Sequence, residues 1–218
     1  MNFFKWMVVC LAIAAQSAAP TSAAPTSAAE PSGVEHLNAF LDGVQTLRAD
    51  FTQTVTDAQG VELQQVEGTL AVKRPGRFRW NYTAPSEQVI VADGVRIWMY
   101  DEELAQVSVR PLDRTLASTP AMLLSGGRAL HEHADIRELG EREGLVWVEV
   151  VPRVKDSDFE AVRIGFDDGR LAAMELVDAF GQTTRMAFTA LVRNPAIDDS
   201  VFTFDPPPGV DVIGAEAH

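Results

Sequence analysis

The residues able to support catalysis are few in this sequence. His131, Glu132 and His133 form the one cluster that resembles a metal site. On a strand the two histidines would point the same way, but the neighbouring sequence offers no third ligand of the kind that zinc requires. We therefore predict that these three residues form a solvated segment and that the protein has no metal site.

Nucleophile and phosphate-binding motifs are also missing from the sequence. Asp167, Asp168 and Gly169 have the composition of a turn rather than that of an acid–base carboxylate pair. There is no Gly-x-Ser-x-Gly elbow and no His-Glu-x-x-His helix, and Gly126-Gly127 is not followed by the Lys-Ser or Lys-Thr of a phosphate loop. We predict a binding protein rather than an enzyme, with no catalytic residue and no cofactor.

The composition describes a folded and acidic chain. Its 218 residues are 46% hydrophobic, which is usual for a globular domain and excludes the disordered and collagen-like classes. Asp and Glu number 31 against 18 Lys and Arg, so the net charge is −13. This charge is unfavourable for binding nucleic acid phosphates and for contact with an anionic lipid surface. We expect a soluble monomer that binds no nucleic acid and does not insert into a membrane.

The first 29 residues have the features of an export signal followed by a flexible arm. Lys5 precedes an apolar run at residues 7–15, which is too short to span a bilayer, and small residues follow it. We expect cleavage between residues 17 and 29 and a single domain over residues 30–218. Cys10 lies within the apolar run, and Val9 before it is not the small residue that a lipid-attachment site requires, so we interpret Cys10 as an apolar filler.

Helical periodicity occurs in two places. Apolar residues from Val34 to Leu47 recur every three or four positions, and Ser32 with Glu35 has the spacing of a capping box. Residues 113–139 show irregular, partly helical apolar spacing that proline and glycine interrupt. We predict one helix in the first segment and short helices in the second.

The rest of the sequence alternates between apolar and polar residues, as in a half-buried sheet. Arg-Pro-Gly at 74–76, Asp-Gly at 93–94 and Asp-Asp-Gly at 167–169 are typical of hairpin turns between such strands, and a short final strand is expected at 201–204. The order predicts a mainly β (α+β) fold with a single curled antiparallel sheet of about eleven strands and a lid of short helices. Strand alternation does not distinguish a filled core from a cavity, so both readings stay open.

Five sequence segments occur in an order that is typical of one family. They are FTQTVTDAQG at 51–60, GTLAVKRPGRFRWNY at 68–82, VIVADGVRIWMYD at 89–101, STPAMLLSG at 118–126 and FTFDPPPGV at 202–210. In these segments the chain resembles the LolA family of periplasmic outer-membrane lipoprotein carriers. The resemblance extends over about residues 34–210, which is nearly all of the predicted domain.

This resemblance implies a fold, a role and a set of partners. LolA-like proteins are unclosed antiparallel β-barrels whose mouth is covered by short helices, and their cavity takes the acyl chains of lipoproteins. The implied partners are acylated lipoproteins as cargo, an inner-membrane lipoprotein-releasing ABC transporter that supplies them, and an outer-membrane receptor lipoprotein that accepts them. The receptor is itself lipid-anchored, and the leader here lacks a lipid-attachment site, so the carrier role is the one expected.

The resemblance also implies site residues. The arginine of the family's Lys-Arg-Pro motif, which corresponds to Arg74, binds carbonyl groups of the lid and holds the empty carrier shut. Phe78 and Trp80 correspond to aromatic positions at the family's cavity, and packing in the core is compatible with that role. The predicted acyl-chain cavity comprises seven residues: Phe78, Trp80, Leu70, Ile90, Trp98, Met122 and Leu124.

Two other functions agree with the same sequence features. A periplasmic sensor or regulatory lipid-binding module would use this fold, normally with an additional domain. A carrier of another amphiphile, such as a glycolipid, would use the same apolar cavity. An enzyme acting on lipids is less compatible because the sequence shows no nucleophile constellation.

Overall fold

The computed structural model of the protein describes residues 30–112, Leu124, 130–153 and 159–214. The predicted export signal and Met122 lie outside these residues, and so does most of the segment for which short helices were predicted. Everything below concerns the described residues.

The described chain contains one full α-helix, two short helical segments and twelve strands. The helical elements are α1 (Gly33–Gly43), α2 (Leu130–His133) and a 3₁₀ helix, η1 (Asp199–Phe202). The first six strands are β1 (Thr46–Thr56), β2 (Glu62–Lys73), β3 (Arg77–Ala84), β4 (Gln88–Asp93), β5 (Arg96–Asp101) and β6 (Gln106–Pro111). The other six are β7 (Ala134–Arg142), β8 (Leu145–Pro152), β9 (Ala161–Asp167), β10 (Arg170–Val177), β11 (Thr183–Arg193) and β12 (Asp211–Gly214).

All twelve strands belong to one sheet. Its order is β12-β6-β5-β4-β3-β2-β1-β11-β10-β9-β8-β7, so β1 lies in the middle between β2 and β11. The neighbours pair in antiparallel fashion except for β12, which pairs parallel to β6. The edge strands β12 and β7 do not pair with each other, so the sheet is unclosed. The predicted mainly β fold with a single curled and unclosed sheet is therefore confirmed, with one parallel pair added at an edge.

The structure corrects two local predictions and adds one strand that was not predicted. Asp199–Phe202 forms η1 where a strand was expected at 201–204, because the Asp198 side chain accepts a hydrogen bond from the Ser200 amide at 2.9 Å and caps a helical turn. Ala134–Arg142 forms strand β7 along β8, although the irregular spacing there suggested helix. Asp211–Gly214 forms the additional strand β12, for which the sequence carries no alternation signal.

The sheet buries apolar side chains on both of its faces. On the inner face, which α1 covers, Leu47, Ala49 and Phe51 of β1 are buried, as the period of two requires. The outer face of β4, β5 and β6 carries a second apolar cluster, in which Trp98 pairs with Val91 and Val109. The chain from residue 195 to 210, which includes η1, crosses this outer face.

Candidate functional site

The interior, meaning the buried apolar side chains between α1 and the inner face of the sheet, is the largest cluster of the structure. Strands from both halves of the sheet contribute to it, and α1 supplies Leu37, Phe40 and Leu41. Phe78 and Phe166, which lie on opposite sides of β1 in the strand order, are both 1% exposed or less. The interior therefore offers a continuous apolar environment that can exchange contacts with an apolar ligand without directional bonds.

Three aromatic rings contact one another in this interior. The centroid of Phe51 lies 4.9 Å from that of Trp80 and 5.4 Å from that of Tyr82. Gly68 makes room for this arrangement, since a Cβ at that position would lie 2.7 Å from the Phe51 ring. Among the described residues the buried Trp80 Nε1 group has no hydrogen-bond partner, so its ring lies in an apolar surrounding. Tyr82 remains partly exposed and its hydroxyl group donates to the Gln53 side-chain oxygen at 3.4 Å, while burial of the rest of the ring raises the pKa of Tyr82 to about 12.

Helix α1 covers the interior and has a well-defined start. Ser32 and Glu35 form the predicted capping box, in which each side chain accepts a hydrogen bond from the other residue's amide. Its Gly33 amide also donates to the Glu138 carboxylate of β7 at 2.7 Å, which fixes this end of the helix to the edge of the sheet. At the other end the last carbonyls of the helix have no partners within the helix, as in any helix.

Arg74 satisfies these carbonyls from the turn between β2 and β3. Its Nη1 donates to the carbonyl oxygens of Leu41 at 2.6 Å and Val44 at 2.7 Å, with a longer contact to Phe40 at 3.3 Å. Its Nε donates to the carbonyl of Leu124 at 2.9 Å. The C-terminal end of a helix carries partial negative charge, which further favours a guanidinium at this position. One arginine thus joins the sheet, the end of α1 and the segment that contains Leu124.

The same arginine is held at an electrostatic cost. Burial lowers the pKa of the Arg74 guanidinium to about 10, and the nearby Asp42 carboxylate acts in the opposite direction. Its second terminal nitrogen, Nη2, is buried without a hydrogen-bond partner among the residues that the structure describes. A hydrogen bond from a charged donor contributes about 1.5–3 kcal/mol, and an unsatisfied buried donor costs a comparable amount. Part of the stabilisation from the Arg74 contacts is therefore offset by the cost of burying the guanidinium.

The structure places four predicted cavity residues together in the interior. Leu70, Phe78, Trp80 and Leu124 are each 3% exposed or less, and Ile90 packs against them while remaining partly exposed. In the structure their side chains pack on one another, so core packing and a position in the interior coincide. Whether they contact acyl chains remains a prediction.

The prediction for Trp98 is wrong about its position. Phe78 pairs with Ala92, and Ala92 pairs with Ile97, so Ile97 shares the inner face and Trp98 faces outward. Trp98 contacts the Phe204 ring at a centroid distance of 6.0 Å, and its Nε1 donates to Asp93 at 3.1 Å. An aromatic residue of a family motif does not have to face the cavity, because the pairing register of the hairpin decides which face of the sheet each residue occupies.

Several interior residues were not among those predicted. Phe51 and Tyr82 complete the aromatic group, Met99 packs at its side, and Phe40 lies under Arg74 with the guanidinium carbon 5.2 Å from its ring centroid. Phe51 and Tyr82 occupy the inward phase of their strands, so the alternation that identified Trp80 also identifies them. The position of Phe40 depends on how α1 rotates over the sheet, for which the sequence offers a weaker signal.

The candidate metal ligands lie on a short helix rather than on a strand. His131 and His133 lie on the short helix α2, where the His131 Nε2 is 2.7 Å from the Asn38 amide oxygen of α1. No three His, Cys, Asp or Glu side chains are grouped to hold a metal ion within the described part of the chain. Among the helices of this part, none has the length and apolar character needed to cross a membrane.

The chain is similar to several known proteins. The family model of the outer membrane lipoprotein carrier protein LolA matches residues 42–205. The outer-membrane lipoprotein carrier protein of Dechloromonas aromatica is 46% identical over 181 residues, which are 83% of this chain and 87% of that protein. The protein of the same name from Chromobacterium violaceum is 40% identical over 96% of this chain and 97% of its own. A solved structure of a LolA-superfamily protein from Nitrosomonas europaea has 11% identity and a TM-score of 0.47, covering 78% of this chain and 95% of its own.

The match to the family model includes the last two residues of α1, Arg74, the aromatic group and η1. The two relatives exceed the similarity at which proteins share a fold, and each is covered over most of its length. The chain therefore belongs to the LolA family of outer membrane lipoprotein carrier proteins.

Proposed function

We propose that the protein is a periplasmic carrier that binds the acyl chains of lipoproteins in the interior and conveys them to the outer membrane. The observation that carries this proposal is the closure of a large apolar interior by the hydrogen bonds of Arg74 to lid carbonyls. A permanently packed core needs no polar closing contact, whereas a carrier needs one that cargo can displace. The family to which the chain belongs supports the same role.

The free energy of lipid transfer explains why such a carrier is required. Exposing an acyl chain to water costs about 0.8 kcal/mol per methylene, or roughly 13 kcal/mol for sixteen carbons. A triacylated lipoprotein therefore does not cross an aqueous compartment unaided. The aromatic and aliphatic side chains of the interior can shield these chains by contact area alone, so one carrier can accept many cargoes.

In the proposed cycle, acyl chains cannot enter the interior while the lid is closed. The closed empty state is stabilised by the Arg74 hydrogen bonds, which must break when acyl chains separate α1 and the Leu124 segment from the sheet. The loss of these contacts, about 1.5–3 kcal/mol in total after the cost of burying the guanidinium, makes the loaded state less favourable than acyl burial alone would. This difference assists release when a receptor offers an equally apolar site.

The proposed partners are an inner-membrane lipoprotein-releasing ABC transporter as donor and an outer-membrane receptor lipoprotein as acceptor. The apolar run of the leader, which resembles an export signal, supports a location between the two membranes. Delivery then requires no chemical step and no catalytic residue, because it follows the difference in affinity between two apolar sites.

A release assay tests the proposal. Spheroplasts that retain newly made lipoproteins at the inner membrane are mixed with the purified protein, and the supernatant is analysed by size-exclusion chromatography. We expect soluble one-to-one complexes, and a fluorescent fatty-acid probe bound to the protein should be displaced by an acylated lipoprotein but not by its deacylated form.

Different results would reassign the function. Equal displacement by both lipoprotein forms would show that the polypeptide is recognised. Displacement by a glycolipid but not by an acylated lipoprotein would favour a carrier of another amphiphile. Release of nothing from the spheroplasts, together with an unchanged probe signal, would contradict the carrier role.

A further inference from the structure

A groove of about 560 Å³ lies on the outer face of β1, β2 and β3, behind the interior and beside η1. Nothing in the carrier cycle uses it. Its polar side chains come from all three strands and from η1: Arg48, Asp50, Thr69, Arg79, Asn81 and Ser200. Five apolar residues also line it: Ala49, Leu70, Ala71, Ala190 and Val201. The charged side chains of the groove belong to residues that alternate with the inward residues of β1, so they face away from the interior.

The strand register arranges the groove residues in two parallel rows. Arg48, Ala71 and Arg79 pair across β1, β2 and β3 in the first row. Since neighbouring strands are about 4.8 Å apart, the Cα atoms of the two arginines are separated by about 10 Å. The small side chain of Ala71 leaves the space between them open.

The second row places an acid beside these arginines. Asp50, Thr69 and Asn81 pair across the same three strands. Asp50 follows Arg48 by two residues on the same face, which corresponds to about 7 Å along the strand. The groove thus has two cationic side chains in the first row and one anionic side chain in the second row.

The charges of the groove are not neutralised by each other or by their neighbours. Neither Arg48 nor Asp50 forms a side-chain hydrogen bond or an ion pair with the residues that the structure describes. The adjacent Lys73 and Arg77 differ, because both pair with Asp199. The groove therefore holds three charged groups that are available to a ligand, next to a region where charges are matched within the protein.

Arg79 is fixed in place without an acidic partner. Its Nε donates to the Asn81 amide oxygen at 2.9 Å, and Nη1 makes a long contact of 3.5 Å with the Val201 carbonyl of η1. Burial lowers the pKa of its guanidinium, as expected for a cation that is partly removed from water without compensation. An anion in the groove would provide that compensation, since guanidinium groups bind phosphate in a bidentate geometry.

We propose that this groove binds a phosphate ester that carries a primary ammonium group, the chemistry of phosphoethanolamine. The phosphate lies between Arg48 and Arg79 over Ala71, and the ammonium group reaches the Asp50 carboxylate. Two cations and one anion at this spacing complement a zwitterion better than they complement a simple anion. The proposal concerns the outer face and does not depend on the proposed carrier function.

The test uses soluble headgroup compounds and nuclear magnetic resonance of the isotopically labelled protein at constant ionic strength. The probe is sn-glycero-3-phosphoethanolamine, and inorganic phosphate and ethanolamine are titrated separately. We expect saturable shifts at the amides of Thr69, Ala71, Asn81 and Ser200 with the zwitterion. Inorganic phosphate and ethanolamine should each bind about tenfold more weakly, because one lacks the ammonium group and the other lacks the phosphate.

Three variants separate the proposed contacts. Arg79→Gln should weaken binding of the zwitterion by about tenfold or more, and Arg79→Lys should do so less. Asp50→Asn should remove the preference for the zwitterion over inorganic phosphate. Arg170→Gln, which changes an exposed arginine at the start of β10, is the matched control and should bind like the parent protein.

Vesicles then identify the source of the group. Vesicles containing phosphatidylethanolamine that displace the soluble probe would assign the groove to a bilayer headgroup, whereas probe binding that such vesicles leave unchanged would assign it to a soluble ester. The proposal is overturned if shifts at the groove are absent or do not saturate. It is also overturned if zwitterion and phosphate bind alike, or if Arg170→Gln weakens binding as much as Arg79→Gln.

Discussion

The two apolar clusters of the sheet are built from alternate residues of the same strands but are closed in different ways. On the inner face, Phe78 and Ile97 belong to an interior that α1 covers, and Arg74 joins α1 to the sheet by polar contacts. On the outer face, the Trp98 ring contacts Phe204 of the C-terminal segment, in which Phe202 is 1% exposed.

The two faces differ in the free energy that is needed to uncover their apolar clusters. Uncovering the outer cluster exposes aromatic rings to water, and the Trp98 and Tyr100 rings both lose their contact with Phe204. Separating α1 from the sheet breaks a few hydrogen bonds of a guanidinium that has one nitrogen without a partner among the described residues. In the proposed cycle, cargo then restores the apolar contacts. The comparison indicates that the outer cluster supports the sheet while the inner one is suited to exchange.

The largest expected effect is the loss of stability when the outer cluster is truncated. Phe202→Ala should lower the free energy of unfolding by about 3–5 kcal/mol, because it leaves a cavity where a phenyl ring is fully buried. Affinity for a fatty-acid probe, measured under conditions where the variant is folded, should be unchanged. A variant with normal urea stability and weaker probe binding would reverse the assignment of the two faces.

The next effect concerns the lid itself. Arg74→Leu removes the hydrogen bonds to the lid carbonyls, so the open state should gain about 1.5–3 kcal/mol relative to the closed state, a roughly ten- to hundredfold change in population. Lipoprotein uptake in the release assay should persist while transfer to receptor-containing membranes decreases. Arg74→Lys keeps the charge without the planar fork and should be milder.

Arg77→Leu is the matched control for this experiment. Arg77 lies just after the same turn but pairs with Asp199 on the outer face, so its loss should leave transfer unchanged. If Arg74→Leu reduces uptake and the cargo that it does bind is delivered normally, the lid does not work as proposed.

A smaller effect distinguishes the faces at two consecutive residues. Met99 lies inward and Trp98 outward, so Met99→Ala should weaken probe binding by about 1 kcal/mol, or about fivefold. Trp98→Ala should instead lower the melting temperature and leave the probe affinity unchanged. Equal loss of probe affinity in both variants would show that cargo is not confined to the inner face.

The smallest effect is a pH dependence that reports on the interior. A tyrosine in the unfolded chain ionises near pH 10, whereas burial raises the pKa of Tyr82 to about 12. As the pH rises from 10 to 12, the unfolded state loses this proton before the folded state does, so the Tyr82 contribution to stability is complete below pH 10 and decreases above it. Arg74, whose pKa is lowered to about 10, acts in the opposite direction over the same range.

Urea unfolding of Tyr82→Phe separates the two groups. The parent protein should lose stability relative to this variant between pH 10 and 11.5, and ultraviolet absorbance of the folded parent should show a late tyrosine transition. Parallel stability curves for the two proteins would indicate that Tyr82 is in contact with water.

Much of the fold could be predicted because each signal was local. The capping box of Ser32 and Glu35, the turns at 93–94 and 167–169 and the alternation along β1 depend on neighbouring residues alone. Hairpin order then leads to a single antiparallel sheet. The sequence indicated these features because local preference and final structure agree.

The errors occurred where tertiary contacts decide the outcome. Strand β7 has charges on both faces, since Glu138 holds the start of α1 and Arg137 approaches Glu149, so its alternation is hidden. Strand β12 forms where β6 has an unpaired edge. No pattern within residues 211–214 indicates this pairing. The face of Trp98 depends on the register of a hairpin, where a shift of one residue reverses every side chain.

The site residues also divide into those that a sequence motif indicates and those whose contacts depend on the tertiary structure. Arg74 could be assigned from the family motif, and the structure shows the carbonyl groups that it contacts. The choice of those carbonyls depends on where α1 ends relative to the β2–β3 turn, a distance of some thirty residues along the chain. The groove of Arg48 and Arg79 has no motif, because its members are brought together by strand register alone.

The edges of the sheet determine how the protein behaves at high local concentration. An unclosed sheet presents backbone groups to which another copy could add a strand, and a protein that handles lipid meets apolar surfaces that promote such growth. Strand β12 occupies one edge with four residues in parallel pairing, a poor template for extension. At the opposite edge, β7 alternates acidic and basic side chains and has a bulge between Glu138 and Gly140, which disrupts the hydrogen-bond pattern. The sheet is thereby left open for its cargo and protected against polymerisation.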